Sequence, residues 1–536
     1  MPLFFILTLL LLNLLFRLTE VIKGGNPLAV LLSPSLDAVL IALLVCAYAW
    51  LRLPGNRVLF PVLAVLTLIN IVFRTAEALV PVFFSRPFVL YSDIRYIPAL
   101  YELMRDTNAP WIFYPALVLL AAGFFCLGFC LAKGFRVLYL GFRDKRYRYF
   151  LIGLTGVFAL LDVLTPLTFI ESTSLPRMGR ELYRLFRQPV HSQEQKQEFE
   201  RSGEAFSKTS DLLDRLEGRN VFLFIVESYG YTLYSEPVHF EGIKGNLSEF
   251  EARLGARGFG IVSGFMKSPS FGGNSWLADS TLATGIWVEN QAAYEVLLES
   301  DVRPMADYFN GVGYRTVLAM PATTSDWPEG DFYRFQKRYV YRDIHYRGRT
   351  FKWAPMTDQY AIDFIHRNEV AGAKGPLFIQ YVLVSSHYPF NMIPRYFEDW
   401  SVLGDGSIYR REGSVTVLPI KPGAGTGGAE GYVAIMAYEL DVLGGYLQSF
   451  VRDDSLIIIL GDHQPFAGIT GRNKCWSVPI HVISRNRTLL EPFVRRGYTW
   501  GMVPRQDPPH PGMERFLPGL LEDFSTSPIS GSADPE

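Results

Sequence analysis

Cysteine is scarce, with four in 536 residues. Cys46, Cys126 and Cys130 fall in long apolar runs, so Cys475 stands alone in the rest of the chain. An internal disulfide is excluded there, and that region must be held by its own core. Cys126 and Cys130, at helical spacing with no partner His or Cys nearby, read as small packing residues rather than a metal site. Charge of one sign is lacking as well: Lys+Arg 51 against Asp+Glu 52 leaves a net charge of −1, which supports neither nucleic-acid binding nor an acidic tail. There is no internal repeat. The N-terminus has no basic segment ahead of its first apolar run and no small-residue cleavage pattern behind it, so that run reads as retained and not as a cleaved signal peptide.

Long apolar runs are present, at residues 3–16, 28–50, 58–73, 111–131 and 150–170. A membrane span needs about 20 apolar residues, and these five runs predict five transmembrane helices over residues 1–170. Lys133, Arg136, Arg143, Lys145, Arg146 and Arg148 crowd between the fourth and fifth, and basic loops favour the cytoplasm. Five spans then place the N-terminus inside and everything after residue 170 outside. Arg86, Arg95 and Arg105, between the third and fourth runs, fit that orientation less well. Residues 171–219 form a polar linker with Leu182, Leu185 and Phe186 as a stripe at helical spacing.

From 220 to 504 the pattern changes to short β-branched apolar runs alternating with helical stretches. Runs at 221–226, 316–320, 377–384, 455–460 and 478–483 predict strands, and 431–451 predicts a long helix. The expected class is α/β, with a central mixed or parallel sheet flanked by helices. Two loops without apolar periodicity, 404–413 and the glycine-rich 423–431, read as mobile, either a lid over the site or a solvent-exposed insertion. Residues 505–536, rich in Pro, Gly and Ser, predict a disordered tail.

The chemistry gathers where those strands end. Glu227 follows 221–226, His387 follows 377–384, and Asp462 with His463 follows 455–460. In an open α/β sheet the carboxyl ends of strands line the ligand crevice. Two carboxylates and one imidazole suit a divalent ion such as Mn²⁺ or Zn²⁺. Ser275, in Gly272-Gly273-Asn274-Ser275-Trp276, is the candidate nucleophile and a fourth ligand; it opens a helical stretch, whose free N–H groups favour an anionic substrate. His387 is placed to protonate a leaving oxygen or bind a non-bridging one. Singly, each has a plain alternative: a surface acid, an N-cap, a turn histidine, a capped turn. Together, correct in type and order, they point to a metal-assisted enzyme acting on a phosphate or related ester.

These segments resemble the alkaline phosphatase superfamily, and within it the membrane-anchored lipoteichoic acid synthase and phosphoglycerol transferase group. The resemblance covers the helical anchor and most of 220–483. Phe222 to Ser228 is similar to the first metal motif, Gly273-Asn274-Ser275 to the nucleophile segment (where Thr is more usual), Ser386-His387-Tyr388-Pro389-Phe390 to the substrate-histidine motif, and Gly461-Asp462-His463 to the final metal pair. The helix holding Tyr438, Glu439 and Asp441 resembles the family's helix before its last strand. The resemblance implies one Mn²⁺-like ion (Zn²⁺ or Mg²⁺ being alternatives) held by Glu227, Ser275, Asp462 and His463. It also implies a two-step transfer of a phospho-headgroup from a membrane phospholipid to an extracytoplasmic glycan or lipid acceptor through phospho-Ser275. Asn274 and Trp327 are implied substrate contacts. The chain departs from the synthase pocket at Met320, where the pocket has His, and at Glu329, where it has Arg; an acid there repels phosphoglycerol. The Cys or Ser before Pro-Ser-Arg of formylglycine sulfatases is absent, as is the cysteine-rich domain of phosphoethanolamine transferases.

A hydrolase of phosphate or sulfate esters is the competing reading, since it shares nucleophile and metal. A non-catalytic sensor or export partner is a third, against which the intact Glu227, Ser275, His387, Asp462 and His463 count. Asp162 lies inside the fifth run, as a lipid-entry contact or a structural hydrogen bond. His345, near Arg342 and Arg347, is an anion contact or part of a basic surface loop, and His481 reads as a packed strand residue.

Overall fold

The computed structural model describes residues 2–22, 33–54, 58–84, 86–98, 101, 104–105, 110–164, 174–207, 212–419, 428–451, 454–471, 475–507 and 509–526. The chain divides into two compact units, Met1–Pro189 and Val190–Glu536.

The first unit is helical. Helices Pro2–Ile22, Leu36–Trp50, Leu59–Phe84, Pro110–Phe142 and Lys145–Leu164 follow in order, and Phe5, Phe16, Phe135, Leu138 and Phe142 are buried among them. Among the described residues three helices are long and apolar enough to cross a membrane, at Leu3–Val21, Leu59–Val82 and Pro110–Phe142, not five. Leu36–Trp50 has 15 residues, about 22 Å of helix, against a hydrocarbon core of about 30 Å. Lys145–Leu164 spends its first turn on Lys145, Arg146 and Arg148, and the rest of the expected span, 165–170, lies outside the described residues. The side chain of Asp162 is outside them too. A different acid is the buried one: Asp37 accepts from Arg74 Nη1 at 2.7 Å and from Ser174 Oγ at 2.9 Å, so its charge is paired inside the bundle.

The second unit is built on one sheet. Its strands are β1 Val221–Val226, β2 Gly260–Lys267, β3 Arg315–Met320, β4 Lys337–Val340, β5 Leu377–Val382, β8 Leu456–Gly461, β9 Ser477–Ser484 and β10 Thr499–Trp500, while β6 Met392–Pro394 and β7 Val415–Val417 form a separate hairpin-like pair. The order is β10-β2-β9-β8-β1-β5-β3-β4. β1 runs parallel to both β5 and β8, and β5 parallel to β3; β9 is antiparallel to β8 and β2. The expected mixed sheet is what forms.

The period-two alternation of side chains explains why β1 reads as an unbroken apolar run: both its faces are covered. Phe222, Phe224 and Val226 pack with Ile243, Leu247 and Phe250 of helix Pro237–Gly255 and with Ile435, Met436 and Leu443 of helix Gly428–Phe450. Val221, Leu223 and Ile225 pack on the opposite face with Ala278 and Leu282 of helix Ser275–Thr284.

That second face also holds a correction. Residues 505–507 and 509–526, expected in a disordered tail, are built into the fold. Lys267 N donates to Pro511 O at 2.7 Å, and helix Phe516–Phe524 buries Phe516, Leu517, Leu520, Leu521 and Phe524 in the core. Its spacing is amphipathic, and each such side chain contributes about 1.5–3 kcal/mol on burial; the surrounding prolines and glycines masked that stripe. Residues 527–536 lie outside the described residues. The 404–413 loop is likewise built in: Tyr409 is fully buried and donates to Gln359 Oε1 at 3.0 Å. Of the glycine-rich loop, 423–427 lies outside the described residues and Gly428 to Gly431 begin a helix.

Candidate metal and nucleophile centre

Three neighbouring parallel strands deliver the site. β5, β1 and β8 end on one edge of the sheet, and Glu227, the Leu383 to His387 segment, and Asp462 with His463 are the next residues out. Glycine is required at Gly461, where an added Cβ would sit 1.9 Å from Tyr229 O; only a bare backbone lets the β8 end pass that close to the β1 turn.

Helix Ser275–Thr284 brings the nucleophile candidate. The chain turns into it through Gly272, Gly273 and Asn274, all at positive φ, with Asn274 at φ 63° and ψ 44°. Gly272 N donates to Gln464 O at 2.9 Å, tying this turn to the residue beside His463. Ser275 Oγ then lies 3.2 Å from Glu227 Oε2 and 3.2 Å from His463 Nε2.

The remaining donor atoms converge on the same point. His463 Nε2 is 3.5 Å from Glu227 Oε1 and 3.4 Å from Asp462 Oδ2, and the donor atoms of Glu227, Asp462 and His463 all lie within 4.8 Å of one another. All three residues are buried. Each is held by an outer contact. His463 Nδ1 donates to Gln464 O at 2.8 Å, leaving Nε2 as the lone-pair face. Asp462 Oδ1 accepts the N–H groups of Ser228 and His463 at 2.8 and 2.6 Å, which leaves Oδ2 for the centre. Ser228 Oγ donates to Glu227 Oε1, and Ser386 Oγ to Glu227 O, both at 2.7 Å.

The electrostatics favour a cation at this point. Burial, then the charge of Glu227, push the Asp462 carboxyl well up. For Glu227 burial also acts upward, but the imidazoles of His387 and His463 outweigh it and the carboxyl ends below its ordinary range. A third acid, which sequence reasoning missed, joins them: Asp279 is buried, its Oδ1 has no hydrogen-bond partner, and burial with Asp462 and Glu227 drives its carboxyl far up. It sits four residues after Ser275, one turn along the helix, so the spacing was its only signal. Three buried acids against imidazoles alone fit a divalent metal held by Glu227, Asp462, His463 and Ser275.

His387 follows Ser386, whose Oγ donates to Glu227 O, which puts it beside the same centre. Its ring stacks on Trp353 with centroids 5.5 Å apart and planes at 7°, and its Nδ1 donates to Tyr388 O at 2.9 Å. Trp327 follows β3 and stacks on Tyr333 at 5.7 Å. Asn274 serves as the left-handed residue that starts the nucleophile helix; its side chain makes no cap bond. His481 is a packed strand residue: it lies buried in β9 between Ser263 Oγ at 2.6 Å and Tyr229 OH at 2.9 Å.

No protein-family model matches this chain, and no curated protein does. Among solved structures, it is similar to the lipoteichoic acid synthase LtaP from Listeria monocytogenes at 15% identity, over 49% of this chain and 65% of that one, with a TM-score of 0.33. The zinc complex of the C-terminal periplasmic domain of EcEptC from Escherichia coli matches at 14% identity, over 60% and 88%, with a TM-score of 0.38. The Streptococcus pyogenes phosphoglycerol transferase GacH, in complex with sn-glycerol-1-phosphate, matches at 10% identity, over 62% and 91%, with a TM-score of 0.34. The match to the Listeria synthase thus spans less than two thirds of that protein's length.

Proposed function

We propose that the chain is a membrane-anchored, metal-dependent phosphotransferase with its sheet domain outside the cytoplasm. The observation that carries this reading is Ser275 Oγ at 3.2 Å from both Glu227 Oε2 and His463 Nε2. A bound divalent ion, Mn²⁺ by preference for this mixed oxygen and nitrogen set, would acidify the serine hydroxyl and neutralise charge on the phosphoryl group.

The chain's own groups do the rest. Ser275 Oγ, its proton released to solvent, forms a bond to the phosphorus of a phospholipid headgroup as the bond from phosphorus to the diacylglycerol oxygen breaks, and diacylglycerol leaves with a proton supplied by His387. Free N–H groups at the start of helix Ser275–Thr284 stabilise the phosphoryl oxygens. A glycan or lipid hydroxyl, passing its proton to the now neutral His387, then bonds to phosphorus as the bond from phosphorus to Ser275 Oγ breaks, and Ser275 Oγ takes up a proton from solvent. Among the described residues, three helices long and apolar enough to cross a membrane support an anchored enzyme with access to lipid donors.

The test is incubation of the purified full-length protein with Mn²⁺ and a panel of labelled phospholipids. Diacylglycerol release that disappears in Ser275→Ala supports the reading; release that persists in the variant removes Ser275 as nucleophile. Capture of the headgroup by added acceptor, against release to water, separates transferase from hydrolase.

A further inference from the structure

Aromatic side chains border the centre in an arc. β1, β5 and β8 run parallel and end at the edge that carries Glu227, His387 and Asp462, and β9, antiparallel to β8, starts there. Trp353 stacks on His387 with centroids 5.5 Å apart. Tyr388, the next residue, meets Phe466 edge-on at 4.9 Å. Phe466 lies two residues beyond Gln464, which bridges to Phe271, and Phe271 packs on Trp476 at 5.7 Å, directly before β9. Ring and backbone contacts thus carry the arc from His387 past the His463 turn.

Its outer rings are not finished as core. Trp353 is 38% exposed, and Tyr388, Phe466 and Trp476 are half-buried, while Phe271 behind them is buried. Exposed Lys352 adjoins Trp353. The opposite edge, where the parallel strands start, differs in kind: Arg219, Arg315, Lys374 and Asp454 stand there. Trp500, opposite Val262 near the start of β2, has the Arg487 guanidinium over its ring at 5.6 Å.

We propose that this arc is a bilayer seat: Trp353, Tyr388, Phe466 and Trp476 settle into the headgroup layer, so that Ser275 meets a phospholipid phosphate while the lipid's tails stay in the membrane. The occupant is the surface of a phospholipid bilayer. Tryptophan and tyrosine, apolar bodies with one polar atom, concentrate where hydrocarbon meets water, and a neighbouring lysine suits the phosphates of that layer. Among the described residues, helices long and apolar enough to cross a membrane belong to the same chain, so the tethered domain meets a bilayer at high effective concentration. The consequence for the lipid donor rests on the phosphotransfer reading above; the seat itself does not.

Depth is read on full-length protein freed of its four cysteines by Cys46→Ala, Cys126→Ala, Cys130→Ala and Cys475→Ser. One fluorophore is attached at Ala467→Cys, beside Phe466, or at Lys374→Cys on the opposite edge. In phosphatidylcholine vesicles containing a lipid with a nitroxide on its headgroup, the Ala467→Cys label is quenched and the Lys374→Cys label is not. Equal quenching at the two positions, or none at the first, overturns the seat. For donor access, Phe466→Ser with Trp476→Ser raises KM for a vesicle phospholipid about tenfold as two rings leave the interface, while kcat for water-soluble bis(p-nitrophenyl) phosphate stays within about twofold. The exchanged pair, Phe466→Trp with Trp476→Phe, keeps the parent KM, which a shape-specific packing role does not allow. An unchanged KM in the serine pair, or an equal loss towards both substrates, overturns the role in donor access. Should the parent turn over no phosphodiester at all, the phosphotransfer reading fails, while the quenching still reports on the seat.

Discussion

Asp358 and Ser385 are locked by a reciprocal pair of hydrogen bonds: the Asp358 carboxylate accepts the Ser385 N–H at 2.6 Å, while the Asp358 N–H donates to Ser385 Oγ at 2.8 Å. The same carboxylate takes the Val384 N–H at 2.9 Å, so one buried acid fixes the turn from which Ser386 braces Glu227 and His387 faces the centre. Asp358→Asn places an amide donor against those N–H groups and lowers turnover about 10- to 100-fold, the usual cost of losing an outer-shell partner. Steady-state kinetics with bis(p-nitrophenyl) phosphate checks this; unchanged kcat contradicts it.

Glu439 sits behind Asp358. Burial, then Asp358, drive its carboxyl far above the ordinary range, and neither oxygen has a donor partner. Such surroundings favour the neutral, protonated acid over the carboxylate. Glu439→Gln preserves a donor of the same shape and leaves both activity and stability near the parent. Glu439→Ala removes the donor and opens a cavity, at about 2–4 kcal/mol in denaturant unfolding. If the glutamine variant is as damaged as the alanine one, the protonated form is excluded.

Removing the metal leaves Glu227, Asp279 and Asp462 facing one another. Metal at a hundredfold excess over its Kd stabilises the folded state by about 2.7 kcal/mol, and chelation removes that along with activity. Asp462→Asn then has opposite effects in the two forms: the chelated protein gains at least about 1 kcal/mol by losing a buried like charge, while the metal-loaded form loses its ligand and its activity. Thermal melts with and without chelator distinguish the signs.

The pH dependence of the chelated protein has a defined sign. Asp279 and Asp462 have folded pKa values raised above their unfolded ones, so the native state holds more protons. Stability falls as pH rises above the unfolded carboxylate range near about 4. His481 acts at the acidic end: burial depresses its pKa to about 3, so its contribution is present above about 6.5 and is lost as pH falls below that value. Urea unfolding midpoints between pH 4 and 8 test both slopes, and Asp279→Asn flattens the alkaline one.

Much of the centre was legible because a parallel strand buried on both faces announces itself as an unbroken apolar run, and the residue after it is a place where chemistry is exposed. Glu227, His387, Asp462 and His463 were found that way, and Ser275 by its glycine-rich approach to a helix. Asp279, Asp358 and Glu439 were not, because an acid on a helix looks the same in sequence whether it faces water or a buried partner. Asp37 and Arg74 are separated by enough chain that their pairing leaves no local mark. Among the described residues, one expected span is too short to cross and the other runs on into residues outside those described. The C-terminal helix was hidden by prolines, whose composition resembles that of a flexible end.

Helix Phe516–Phe524 packs beside the helix that begins at Ser275, and Gly285, at the end of that nucleophile helix, lies against Pro518. The wall behind Ser275 is therefore supplied by a helix from a distant part of the chain. A chain cut before Phe516 keeps Glu227, Ser275, Asp462 and His463 and loses the surface on which the helix opened by Ser275 rests.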